Sequence, residues 1–123
     1  MEGKLINSIR WDGSDVEISV SVYLFKDGGT YVAYCPSLDL SGYDHTEELA
    51  RKDFEYVLHD WMREQLKADT LRQDLIAHGW KIEGSHGEEP SLRQMLDEGS
   101  PACELAVLPE YRKMNVGVEM SLA

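Results

Sequence analysis

Thiols are scarce in this sequence: Cys35 and Cys103 are the two cysteines among 123 residues. Neither stands in a C-x-x-C or near a histidine at ligand spacing, so the pattern excludes a disulfide framework and a zinc site. Both are expected to be reduced thiols, with Cys35 a small core residue inside an apolar run. Long hydrophobic runs are missing as well. No apolar stretch approaches the roughly 18 residues that a membrane-spanning helix needs. The opening "MEGKLINSIRWDG" has neither the apolar centre nor the small-residue cleavage site of a signal peptide. The expected location is cytoplasmic. Basic residues are few: 12 Lys and Arg stand against 23 Asp and Glu, a net charge of −11. Arg51–Lys52 and Arg112–Lys113 are the only adjacent basic pairs, and nothing forms a basic stripe. Nucleic-acid binding depends on neutralising phosphates, so direct nucleic-acid binding is not expected. The excess of acid keeps a chain soluble and can also attract a basic partner.

Signatures of catalysis are equally thin. There is no H-E-x-x-H, no P-loop and no G-x-S-x-G. His45, His59, His78 and His86 are scattered, and none has a second histidine four residues away. Asp39, Asp44, Glu47 and Glu48 are the acids that a two-metal site would have to gather at one point. Glu47 and Glu48 read as helix-start acids and Asp44 as a turn residue. No catalytic, cofactor-binding or metal-binding residue is assigned, and no cofactor is expected.

What the sequence does hold is pattern. Hydrophobic residues make up 42% and Gly and Pro are not in excess, which fits one soluble domain over residues 1–123. In "VEISVSVYL", Val16, Ile18, Val20, Val22 and Leu24 alternate with Glu17, Ser19, Ser21 and Tyr23. That is the period of a strand buried on one face. "KLINSIRW" before it reads as a further short strand. "KDGGT" predicts a tight turn, because Gly accepts the positive φ that a hairpin requires. "TYVAYC" predicts a second strand, stopped by Pro36, which cannot donate to a ladder. "SLDLSGY" predicts a short third strand with Leu38 and Leu40 on one face.

A helix over 47–67 follows. Thr46 is its expected N-cap, and Ala50, Phe54, Val57, Leu58, Trp61, Met62 and Leu66 form its apolar stripe. Trp61 reads as part of that stripe, and Trp80 as packing back on the helix before it. "TLRQDLIAHG" and "SLRQMLDEG" predict two short helices, each opening Ser/Thr-x-x-Gln and ending at Gly. Ordinary helix punctuation accounts for the echo between them. "WKIEGSHGEEP" reads as a polar connection, "ELAVL" (104–108) as a short apolar run, and "MNVGVEMSL" as a terminal alternating strand. Such a strand completes a sheet or pairs with another chain. The fold class is α+β, a three- to four-stranded antiparallel sheet with one long helix packed on it and a C-terminal extension over 68–123.

The order of these signals carries a resemblance. Asp27, Gly28, Gly29, Tyr31, Val32, Ala33, Tyr34, Pro36, Leu38, Gly42 and Thr46 follow one another as in the HicB-like antitoxins of toxin–antitoxin systems. The stretch 15–67 resembles that family's core. The resemblance implies a β-β-β-α-β fold of partial ribonuclease-H type. It also implies a non-enzymatic, antitoxin-like role, neutralising a small basic RNA-cleaving toxin. Many relatives append a DNA-binding unit; residues 68–123 show no basic recognition helix, and 83–110 is strongly acidic. The runner-up is a stand-alone HicB-fold protein with no toxin partner. A fainter likeness links "LIAHGWKIEGSHG" to HicA toxins, whose Gly-Ser-His holds a catalytic histidine. The interval from Gly79 to Gly84 looks too short for the strand found there in that family. His86 in Gly84-Ser85-His86 therefore reads as an exposed loop residue, and a nuclease is the third reading. Homo-oligomerisation through strand edges or the C-terminal strand is expected.

Overall fold

The structure is a computed structural model and describes residues 8–12, 15–97 and 112–121. Along those residues run β1 (Ser8–Asp12), β2 (Asp15–Asp27), β3 (Thr30–Cys35), β4 (Leu40–Asp44), α1 (Glu47–Ala68), α2 (Leu71–Ala77), β5 (Lys81–Glu83), β6 (His86–Glu88), α3 (Leu92–Asp97) and β7 (Arg112–Ser121). The class is α+β: one antiparallel sheet and one long helix.

The long strand β2 is the spine. On one edge it carries β7, paired from Leu24↔Arg112 to Asp15↔Ser121. Two other strands divide its remaining length. β1 takes residues 15–18, with Ile9 opposite Ile18. β3 takes residues 23–27, with Tyr23 opposite Tyr34. A strand has two edges, and β7 pairs with residues in both stretches, so β1 and β3 share the edge away from β7. The sheet therefore forks. One wing is β3–β4 and the other is β1–β6–β5.

Alternation explains the core. Val16, Ile18, Val20 and Val22 are fully buried on one face of β2 and cluster with Ala33 and Cys35 of β3 and Val116 of β7. Ala50, Phe54, Leu58 and Met62 of α1 meet them, and Val57, Trp61 and Leu66 flank that line half-buried. Burying each large side chain stabilises the fold by about 1.5–3 kcal/mol. Gly42 sets the height of the helix. A Cβ at that position would lie 2.4 Å from the Phe54 backbone nitrogen and 2.9 Å from the Ala50 carbonyl oxygen. No larger residue lets α1 lie so close to β4. The outer face of α1 is solvated and holds the ion pairs Arg51–Glu55, Lys52–Glu48 and Arg63–Asp60.

The helix ends are made as the sequence predicts, with one exception. The Thr46 hydroxyl accepts from the Leu49 N–H at 3.1 Å. Past α1, Asp69 turns left-handed (φ 57), and the Asp69 and Thr70 amides bond back to Leu66 and Gln65. Past α2, Gly79 (φ 91) does the same, with the Trp80 N–H returning to the Leu75 carbonyl. Ser91 caps α3 by accepting from the Gln94 N–H at 3.1 Å. Thr70 caps nothing: its hydroxyl donates to Gln65 Oε1 at 2.6 Å, a partner offered by the end of α1.

Other expectations need correction. The polar connection in "WKIEGSHGEEP" is the hairpin β5–β6, closed at Glu83↔His86 and added to β1 through Ile9↔Gly87. The interval from Gly79 to Gly84 is thus long enough for a strand, three residues of it. The third strand starts later than predicted, at Leu40, and Leu38 is buried in the turn before it. β2 is not buried on one face alone, since Ser21 and Tyr23 on the opposite face are buried too. The strand beside β2 comes from the C-terminal segment, after α3, rather than directly after α1. The run 104–108 lies outside the described residues. Among the described residues no helix is long and apolar enough to cross a membrane.

Candidate functional site

The fork in the sheet leaves residues 19–22 of β2 without a neighbouring strand on the side of the wings. Glu89, just after β6, fills that place. Its carboxylate accepts the Ser21 backbone N–H at 3.0 and 3.2 Å and a hydrogen bond from the Ser37 hydroxyl. Ser37 is wholly buried in the turn after β3, held there because Pro36 ends the strand. Its carbonyl accepts the Trp80 indole N–H at 2.9 Å. Its hydroxyl lies 3.4 Å from the Cys35 sulfur. Three distant segments (β2, the turn at 36–39 and the strap leaving β6) meet at these atoms.

The chemistry of this cluster is that of a clasp. Cys35 is fully buried. Burial, and then the negative charge of Glu89, push its thiol up to about 12. At neutral pH it is an un-ionised thiol, which is a poor nucleophile and metal ligand. The carboxylate is committed to an amide and a hydroxyl, so it orders the fork. Sequence reading missed Glu89 because it sits in an acidic, polar stretch that resembles a solvated loop. Pro90 behind it, buried in the structure, was the faint signal of a strap held against the fold.

The acids examined for metal binding do not converge. Asp39 sits in the turn after β3 (φ 55) and accepts from the Tyr34 hydroxyl at 3.0 Å. Asp44 ends β4 and binds the His45 amide at 2.7 Å. Glu47 and Glu48 occupy the first turn of α1, and Glu48 pairs with Lys52 at 3.7 Å. Among the described residues no three His, Cys, Asp or Glu side chains come together as a metal site. His86 is exposed on β6, between Arg10 of β1 and Glu83 of β5 in the cross-strand register. Arg10 is itself paired with Glu17 at 3.4 Å. His59 lies 3.1 Å from the Arg63 guanidinium on α1, and His78 lies 3.5 Å from Asp74 on α2.

The surface offers apolar contacts at the β4 end of the sheet. Tyr43 is 57% exposed and Tyr56 is 75% exposed. Asp53, which lies between Leu49 and Tyr56 on α1, accepts the Tyr43 backbone N–H at 2.9 Å and so covers part of the β4 edge. A second hollow lies between Trp11, Leu66, Arg72 and Ser85, where the Arg72 guanidinium stacks 5.9 Å from the Trp11 ring centre. Against known proteins, no family model, curated protein or solved structure matches the chain.

Proposed function

We propose that the chain is a HicB-like, non-enzymatic binding module that neutralises a small basic RNA-cleaving toxin by covering its working surface. One observation carries the reading: every punctuating residue of the motif has a structural task, in the family's order. Gly28 takes the left-handed conformation (φ 64) at the hairpin tip. Pro36 ends β3, Gly42 admits the helix backbone, and Thr46 caps α1. The run β2–β3–β4–α1 is the β-β-β-α part of the proposed fold, with residues 15–67 as its core and 68–123 as an extension of the same domain. The net charge of −11 favours fast encounter with a basic partner. Self-association through a strand edge belongs to the same reading.

Co-expression with the short basic protein encoded beside the gene tests this. Growth should be restored and the two proteins should purify together. If no basic neighbour binds, the stand-alone reading takes its place. If the purified protein cleaves RNA and His86→Ala abolishes the cleavage, the non-enzymatic reading is wrong.

A further inference from the structure

The edges of the sheet are not treated alike. At one end, the outer edge of β4 has its Tyr43 N–H covered by the Asp53 carboxylate. At the other end, β5 is three residues long and carries Lys81 and Glu83. Short, charged or covered edges are the usual means of preventing strand-to-strand association. β7 has none of these. It is ten residues long, holds no proline, and among the described residues pairs with β2 alone.

The backbone phase of β7 follows from the fork. The Ser21 N–H points to Glu89 on the wing side of β2. Even-numbered residues of β2 therefore point toward β7, and their partners, Val116 opposite Val20 among them, point back. The odd-numbered residues of β7, including Lys113 and Gly117, turn their N–H and C=O groups outward. Gly117 is exposed, and a Cβ there would meet nothing closer than the Ile18 carbonyl oxygen at 3.6 Å. Nothing within the chain therefore requires a glycine. In a strand, such a glycine marks the close approach of another backbone.

We propose that the outer edge of β7 is a self-association surface, and that its occupant is β7 of a second copy of this chain. The inference deepens the self-association in the functional reading above and does not depend on a toxin. Two antiparallel copies related by a twofold axis through Val116 place Val116 opposite Val116 and Met114 opposite Val118, matching apolar positions that are only half-buried at 114 and 118. The same register sets Lys113 opposite Glu119, a basic residue against an acidic one, at both ends. Shifting the axis to Gly117 would lose that match and set Lys113 opposite Ser121. Outward-facing backbone groups in the favoured register supply about eight hydrogen bonds between copies. The axis is perpendicular to the sheet, so the two α1 helices lie on the same face of one continuous sheet.

Sedimentation equilibrium of the full chain tests the proposal. The wild type should be a dimer. Lys113→Glu and Glu119→Lys should each weaken the dimer by about tenfold, and the double variant Lys113→Glu/Glu119→Lys should restore it. Gly117→Pro removes an outward donor that β2 does not use, and should give a folded monomer by circular dichroism. A monomeric wild type would overturn the proposal. So would a dimer that is unchanged by Gly117→Pro, or charge reversals without mutual rescue. None of these results bears on toxin neutralisation, which co-expression reads separately.

Discussion

Cys35 and Gly42 show two ways in which a single residue is dictated by the space it occupies. Cys35 is the small apolar residue that fits between β3 and the helix, and its burial makes its chemistry depend on pH. The thiol ionises near 9.0 when exposed and near 12 in the fold. Folding therefore favours the neutral form. The associated stability is complete below pH 9 and is lost as pH rises through 12. Thermal melts from about pH 8 to 11 should show an alkaline loss that Cys35→Ala reduces. Equal slopes in the two proteins would mean that this thiol does not contribute. Gly42 is fixed by distance, since even a methyl group at that position would sit 2.4 Å from helix backbone. That requirement is invisible in the sequence, where Ser41-Gly42-Tyr43 looks like any turn.

Among elements, α1 is the most legible. Its apolar stripe, Thr46 cap and acidic first turn predict 47–67, and the helix runs to Ala68. Its far end is less regular, because a non-glycine residue, Asp69, takes the left-handed position (φ 57). Asp69→Gly should raise stability by about 0.5–1 kcal/mol, and Thr46→Ala should lower it by about 1 kcal/mol. Urea unfolding monitored by circular dichroism checks both. A destabilising Asp69→Gly would show that the Asp69 side chain does more than occupy the bend. The hairpin β5–β6 was not legible. Each strand has three residues, and Ile82 is the one large apolar side chain between them. A period of two needs a longer run to stand out from loop composition. Glu89 was hidden for a related reason: a carboxylate that replaces a strand looks in sequence like one that faces water.

The whole molecule depends on the fork and the clasp that closes it. Glu89 ties the strap after β6 to β2 and to the turn at Ser37, so its removal should loosen both wings together. Glu89→Ala leaves a backbone amide and a buried hydroxyl without their acceptor, and should cost about 3 kcal/mol. Glu89→Gln retains one oxygen and should cost roughly half of that. Hydrogen exchange is the decisive measurement. The Ser21 amide should lose protection in Glu89→Ala, and a protected Ser21 would show that the fork is held by other contacts. The long pairing of β2 with β7 has a consequence in time as well. Asp15 meets Ser121, so one of the first strands made waits for the last one. Closing so large a loop is slow relative to forming the local β2–β3–β4–α1 unit. During synthesis that unit stands with a bare ten-residue edge until the chain is released. An early-made partner, or a neighbouring nascent copy, can reach that edge before the protein's own C-terminus does.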